Sequence, residues 1–233
     1  YSALKVGSPE KEVVFSVPTG NFGNILAGWI AKKMGLPIAR LICGSNQNDI
    51  LTRFFENGIM KRKNVCPSYS PSMDIQVSSN FERLLFEING RDTNSVKKQM
   101  HDFKVNGYFE INQDQLKKIN RSFSAFMISD TDTLDIIKNT YTDYEYMLDP
   151  HSAIGYGALQ KAVEQKIISN DTPIISLACA HPAKFPQVIK KSIGILPKFP
   201  IHLNHIMNQK ENFKIIQPDL KDLQEYISKR TRK

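Results

Sequence analysis

The stretch Val13-Val14-Phe15-Ser16-Val17-Pro18-Thr19-Gly20-Asn21-Phe22-Gly23-Asn24 decides the fold class, because an apolar run feeds a glycine loop that opens directly into a helical pattern. Gly20 and Gly23 let the backbone turn with no Cβ in the way, and the first turn of the next helix leaves N–H groups unpaired. Such donors favour an anion. A Walker loop ends in Gly-Lys-Ser/Thr, whereas Gly23 is followed by Asn24 and Ile25. The dinucleotide fingerprint needs three glycines, and only G-x-x-G is present. A single phosphate monoester therefore fits better than a pyrophosphate. Asn21 and Asn24 can donate to phosphate oxygens or cap the helix. Taken alone, the residues also allow a plain strand-to-helix turn with no ligand.

Outward from the loop, the pattern predicts a β-α-β unit. A helix from about Asn24 to Met34, with Lys32 and Lys33 in its last turn, stops at Gly35 and Pro37. Ile38 to Cys43 reads as a buried strand, and Ser45 or Asn46 is expected to cap a helix that presents Ile50, Leu51, Phe54 and Phe55 on one face. The expected fold class is α/β, an open, mostly parallel sheet flanked by helices.

Farther along, Ser79-Asn80-Phe81-Glu82 fits a capping box before a helix that ends at Gly90. Residues 93–105 and 112–121 read as weakly amphipathic helices with solvated faces, and Phe123 to Ser129 as a short strand. Asp130 to Thr133 is then expected to cap a helix reaching about Tyr141. Asp149-Pro150 supplies an N-cap and a first-turn proline to a helix containing Gly155, Gly157 and Ala158, glycines that point to close packing on a neighbouring backbone. Pro173 to Ala178 forms another apolar strand, with Cys179 to Phe185 at its carboxyl end, where ligands gather in open α/β sheets. The expected division is 1–90 for the phosphate-loop region, 91–145 for a helical peripheral segment, 146–195 for the remainder of the large domain, and 196–233 for a C-terminal helical extension. In that extension Leu220, Leu223, Tyr226 and Ile227 read as the packing stripe of a docking helix.

Composition excludes several classes. With 233 residues, 41% of them hydrophobic, the chain can bury a real core, and no apolar run is long enough to suggest a membrane span. The 31 basic and 23 acidic residues give +8, yet the only dense basic cluster is Lys229, Arg230, Arg232 and Lys233, without interleaved aromatics, so no nucleic-acid partner is expected. A positive field also suits a doubly charged phosphate substrate. The three cysteines, Cys43, Cys66 and Cys179, are odd in number and lack metal spacing, which favours a reducing, cytoplasmic setting. His202 and His205 share a face without a nearby carboxylate or thiol ligand, so no metal is expected. The chain opens on Tyr1 with no charged-then-apolar leader and reads as truncated.

Four segments in order carry a family resemblance: Val17 to Asn24; Asn46-Gln47-Asn48-Asp49-Ile50-Leu51-Thr52-Arg53-Phe54; Ser70-Pro71-Ser72-Met73-Asp74-Ile75 with Ser79 to Leu84; and Asp149-Pro150-His151-Ser152-Ala153 with Ala180-His181-Pro182-Ala183-Lys184-Phe185. On these the chain resembles the C-terminal half of threonine synthase, a pyridoxal-phosphate enzyme sharing its fold type with the tryptophan synthase β subunit. The resemblance reaches to about Gly194. It implies pyridoxal 5′-phosphate as cofactor, held by Gly20, Asn21, Phe22, Gly23, Asn24 and Cys179, with His181, Lys184, Asn48 and Asp49 toward the substrate, O-phospho-L-homoserine. The implied reaction removes phosphate by γ-elimination and adds water at Cβ to give L-threonine.

The family carries a threonine directly before Ala-His-Pro-Ala-Lys-Phe, whose hydroxyl meets the pyridine nitrogen. Here Cys179 offers a thiol, a weaker donor, and a small buried cysteine is the alternative. The Schiff-base lysine of the family lies before the glycine loop in a Phe-Lys-Asp setting that no lysine here matches, so it is expected upstream and the chain is expected to be inactive alone. An exposed sheet edge should make it self-associate. A threonine-synthase-like phospholyase and a non-enzymatic interaction or signalling module are the alternative functions.

Overall fold

In a computed structural model, residues 1–169 and 171–231 are described, apart from the side chain of Met207. Contacts divide the chain into a unit from Tyr1 to Pro197 and a unit from Lys198 to Lys233. In chain order the first unit comprises α1 (Ser2–Lys5), β1 (Val13–Pro18), α2 (Gly23–Lys33), β2 (Ile38–Ser45), α3 (Ile50–Asn57), β3 (Ile59–Lys61), α4 (Phe81–Ile88), α5 (Thr93–Val105), β4 (Tyr108–Glu110), α6 (Gln113–Ile119), β5 (Phe123–Met127), α7 (Asp130–Tyr144), α8 (Pro150–Glu164), β6 (Ile174–Ser176) and α9 (Pro186–Ile193).

The main sheet has the order β5-β2-β1-β6, and every neighbouring pair is parallel, as an apolar strand-helix-strand pattern requires. Alternate residues of the central strands face opposite sides. Val13, Val17, Leu41 and Cys43 join one core with Ile25, Leu26, Phe54, Leu84 and Leu85, which come from α2, α3 and α4. Val14 and Ile42 join a second core with Ala158 and Ala162 of α8. A small antiparallel ladder pairs β3 with β4 at the periphery.

Close approach of α8 to the sheet depends on small residues from both sides. A Cβ on Gly44 would meet Ile154 O at 2.9 Å, and one on Gly155 would meet Pro18 Cδ at 2.8 Å. Gly155 is thereby able to present its carbonyl to Ser16 Oγ, which donates to it at 2.6 Å. Gly155 thus packs on a neighbouring backbone as expected, whereas a Cβ on Gly157 would meet only the side chains of Ile136 and Ile128.

Several expectations are corrected. Neither Ser45 nor Asn46 caps α3: Ser45 ends β2 opposite Met127, Asn46 turns its carboxamide to another loop, and Asp49 takes the N-cap position. The Ser79 capping box does not form, because Asn80 occupies the N-cap and Ser79 Oγ donates to Asn21 Oδ1 at 3.4 Å. Residues 93–105 and 112–121 are helical, but they bury Val96, Phe103, Leu116 and Ile119 around the β3–β4 ladder and do not lie wholly in solvent. Helix α7 runs on to Tyr144, with a capping box between Ser129 and Asp132.

The second unit contains a 3₁₀ helix, Ile201–Asn208, and α10, Leu220–Ser228, which Asp219 caps through the N–H groups of Lys221 and Asp222. Leu220, Leu223 and Ile227 of α10 are exposed, and Tyr226 lies under Arg230, 4.0 Å from guanidinium to ring centre. Two members of the terminal basic cluster, Arg232 and Lys233, fall outside the described residues.

Gly155→Ala tests the α8 packing. Alanine gains about 1 kcal/mol of helix propensity, but its methyl must displace Pro18 or α8, which costs about 1–3 kcal/mol. A net loss of stability in urea denaturation is expected, and a gain would show that the contact yields freely.

Candidate functional site

The carboxyl end of β1 and the start of α2 form the first wall. Phe22 is the N-cap residue at φ 65°, and no side chain caps the helix, so the first N–H groups of α2 keep their donors for another acceptor. Its ring is fully buried, with centroids 5.2 Å from Phe81, 5.9 Å from Phe123 and 6.2 Å from Phe55. Asn21, Gly23 and Asn24 are exposed around it. The loop is clasped from behind: Ser78 Oγ donates to Gly20 O at 2.8 Å, and Asn80 donates to Asn21 O through its backbone at 3.1 Å and its carboxamide at 3.0 Å. A Cβ on Gly20 would meet Ser72 O at 3.1 Å and Met73 Cα at 3.2 Å.

That back wall, residues 70–74, is held by Asp74. Its Oδ1 accepts from Asn46 Nδ2 at 2.8 Å, Asn48 Nδ2 at 3.0 Å and Ser68 Oγ at 2.6 Å, while its Oδ2 accepts from Ser68 N–H at 2.9 Å. The start of α8 holds the same wall from the other side. Ser72 N–H donates to His151 Nε2 at 3.2 Å, so Nδ1 carries the ring proton, 3.2 Å from Asp149 Oδ1. Asp149 Oδ1 also accepts the N–H groups of His151 at 2.9 Å and Ser152 at 3.4 Å, and Ser152 Oγ donates to Asp149 Oδ2. The same Ser152 Oγ accepts Cys179 N–H at 3.0 Å, at the carboxyl end of β6.

Cys179 closes the arrangement. Its Sγ lies 3.9 Å from Asn24 Nδ2, which brings the first and last of the sequence segments together. Partial burial pushes its thiol pKa up, the charge of Asp149 adds to that, and the Asn24 amide acts in the opposite sense. Cys43, sealed in the sheet, is pushed up to about 12 by burial and stays an inert thiol. Among the described residues no group of His, Cys, Asp or Glu is arranged to hold a metal ion, and no helix is long and apolar enough to cross a membrane.

Residues 152–227 match the family model of the C-terminal part of threonine synthase. A threonine synthase of Pseudomonas aeruginosa is 39% identical, over 98% of this chain and 48% of that protein. The crystal structure of pyridoxal-phosphate-bound threonine synthase from Brucella melitensis superposes with a TM-score of 0.90 at 44% identity, covering 100% of this chain and 49% of that one. Over nearly its whole length the chain matches the C-terminal half of threonine synthases. The yeast threonine synthase structure agrees, with a TM-score of 0.84 at 33% identity over 98% of this chain and 49% of its own. The chain spans about half the length of the relatives it matches.

Within the chain the sequence-derived site residues separate. Gly20, Asn21, Phe22, Gly23, Asn24 and Cys179 lie together at the carboxyl ends of β1 and β6. His181 is exposed and caps the short 182–184 helix, its Nδ1 accepting Ala183 N–H at 3.2 Å; Lys184 is exposed with its Nζ 5.9 Å from the Phe185 ring centre. Asn48 and Asp49 spend their side chains within the chain. Asn48 bonds both ways with the backbone of Cys66, at 2.8 Å each, and Asp49 pairs with Arg53 at 2.8 Å and Lys63 at 3.6 Å. Sequence reading saw Asp149 only as a helix cap and passed over Asp74, Ser78 and His151 as site-shaping groups. Asp74 and His151 stand in the quoted segments, which was the available signal, whereas Ser78 lies just outside them.

Burial of Asp149 opposes its ionisation, and the hydrogen bonds from the side chains and N–H groups of His151 and Ser152 outweigh it, so the carboxyl sits below its ordinary 3.8. A depressed carboxyl gives stability that is complete above its unfolded pKa and lost as pH falls through the lower folded value. Asp149→Asn is expected to cost about 1–3 kcal/mol at neutral pH, and the gap to the parent should close as pH falls below 3.8. A gap that does not change with pH in thermal melts would show that the charge plays no part.

Proposed function

We propose that this chain forms the cofactor-phosphate and pyridine-side walls of a pyridoxal-phosphate-dependent threonine synthase. The observation that carries the reading is the convergence of the uncapped start of α2 with Cys179, Asn24 Nδ2 standing 3.9 Å from its Sγ. The residues fit the group. Gly23 and Asn24 open the helix with free donors and exposed surface, and Gly20 sits where a side chain would strike residues 72 and 73.

In this reading the backbone N–H groups at Gly23 and Asn24, with the Asn21 and Asn24 carboxamides, take the phosphate. Phe22 turns its ring into the core and so leaves that mouth clear. Cys179 faces the pyridine nitrogen as a protonated thiol, which donates a hydrogen bond and, unlike a carboxylate, leaves the nitrogen unprotonated. His181 and Lys184 sit beside this wall, where cationic and imidazole donors suit the substrate phosphate. Asn48 and Asp49 act through the loop they brace. The cofactor supplies the electron sink for proton loss at Cα and Cβ of O-phospho-L-homoserine, phosphate departure from Cγ and water addition at Cβ.

The lysine that anchors the cofactor belongs, on this reading, to the part of threonine synthases that the chain does not span, so the chain alone releases no phosphate. Segments 1–90 and 146–195 serve the cofactor domain, 91–145 is peripheral only as far as α6, since its β5 joins the main sheet, and 196–233 forms a C-terminal extension. The three free cysteines favour a reducing compartment such as the cytoplasm.

Asn24→Asp places a carboxylate at the phosphate mouth. In the complete gene product it is expected to weaken pyridoxal-phosphate binding at least about tenfold and to slow phosphate release from O-phosphohomoserine. Undiminished binding would remove the phosphate from this loop, and a parent protein that binds the cofactor but releases a different product would replace the reaction.

Self-association follows from an asymmetry between the sheet edges. On β5, Arg40 Nη1 donates to Phe123 O at 3.3 Å and Lys161 Nζ to Met127 O at 2.9 Å, capping outward carbonyls with charge. On β6, Pro173 O accepts Val14 N–H and Leu177 N–H donates to Ser16 O, so the backbone groups of Ile174 and Ser176 point away from the sheet. Beside them lies a cleft of about 430 Å³ lined by Tyr144, Tyr146, Leu148 and Tyr156. The isolated chain is expected to sediment as an oligomer and Ile174→Lys as a monomer; equal sedimentation of the two would rule out this edge.

A further inference from the structure

One carboxylate reaches both walls of the site. Asp149 is buried at the head of α8, and its two oxygens divide the work. Oδ1 takes the His151 ring, whose far nitrogen accepts Ser72 N–H at 3.2 Å, and the carbonyl of Ser72 stands at 3.1 Å from where a Gly20 Cβ would lie. Oδ2 takes Ser152 Oγ, which accepts Cys179 N–H at 3.0 Å. The path therefore runs from the back of the phosphate loop, through one buried charge, to the residue on the pyridine side.

We propose that Asp149 is a positioning residue that sets the spacing between the phosphate loop and Cys179: through His151 it fixes residue 72 behind Gly20, and through Ser152 it fixes the backbone of residue 179. This inference rests on the reading that these two walls face the cofactor. Sharing one carboxylate makes the arrangement stiff. Each arm starts in a charge-assisted contact between buried groups, and neither wall moves without disturbing the oxygen pair that holds the other. A cofactor gripped at its phosphate and at its ring nitrogen needs that distance held constant. The carboxylate also acts through space on Cys179, raising its pKa after burial and so favouring the thiol form that donates. The groups around that thiol are Asp149 from α8, the neutral Asn24 carboxamide from α2, and His181 and Lys184 along its own segment.

The test is residue-resolved amide hydrogen exchange on the chain itself. Asp149→Asn is expected to raise exchange at both Ser72 and Cys179 at least tenfold while leaving Ile42, in the centre of the sheet, unchanged. Ser152→Ala should do so at Cys179 alone, and His151→Phe at Ser72 alone, which keeps the test intact where the Asp149 variant does not fold. A rise spread evenly over the sheet, or no rise at one of the two amides, would overturn the coupling. A second readout uses a Cys66→Ser background, in which Cys179 is the exposed thiol and Cys43 is buried. There, Asp149→Asn should shift the midpoint of the alkylation pH profile downward, and an unmoved midpoint would exclude the charge effect. Titrating the parent with pyridoxal phosphate separates the two levels. Absence of binding in the complete gene product would sink the cofactor reading, whereas the exchange pattern alone decides the coupling.

Discussion

Burial of the Phe22 ring is the constraint on which the site depends. A non-glycine residue in the left-handed region costs about 1–3 kcal/mol, and Phe22 adopts it at φ 65°. Full burial of such a side chain returns about 1.5–3 kcal/mol, and its aromatic pairs with Phe55, Phe81 and Phe123 add about 0.5–1.5 kcal/mol each. Packing wins, and the backbone takes the bend. The outcome is a helix start with no side-chain cap and a ring drawn inward, leaving Asn21, Gly23 and Asn24 on the open side.

Around that bend, polar bonds do the aligning while apolar layers supply the stability. The loops at 46–49 and 66–74 contain little regular structure, so their positions are fixed by hydrogen bonds that converge on Asp74. The opposite wall converges on Asp149. Asp149 is buried and Asp74 half-buried; full burial of a carboxylate carries a desolvation cost of several kcal/mol, and here each is met by several donors, some of them backbone N–H groups that the fold must place anyway. The arrangement is thus selective for one geometry, because any donor that withdraws leaves a charge uncompensated.

The sheet itself is unequal at its margins. Its β5 side ends in cations that occupy outward carbonyls, as a strand meant to face solvent should. Its β6 side ends with backbone groups left unpaired among the described residues, beside tyrosines and a leucine, in a strand whose Ile-Ile-Ser-Leu sequence reads as interior. The threonine synthases that the chain matches are about twice its length.

Much of this was legible in the sequence. The apolar run, the glycine loop and the helix stop at Gly35 give β1-α2-β2, since they depend on local backbone freedom and the period of apolar residues. Asp149-Pro150 announces the start of α8, and Gly155 its close packing, for equally local reasons. The four quoted segments, taken in order, already resemble threonine synthase. Other features escaped because their causes are long-range. The three-residue strands β3 and β4 pair across nearly fifty residues of chain, too short for any period to show. The Ser79 box fails because Asn21 claims the serine, and Asn46 is drawn from capping by Ser68, Ser70 and Asp74. Sequence by itself determined the elements and the residues available for chemistry; tertiary structure alone decided which of them meet. Hydrogen-bond partners are chosen by proximity after the core has packed, so Asn24 beside Cys179, and Asp149 between Ser72 and Cys179, exist only in the folded chain.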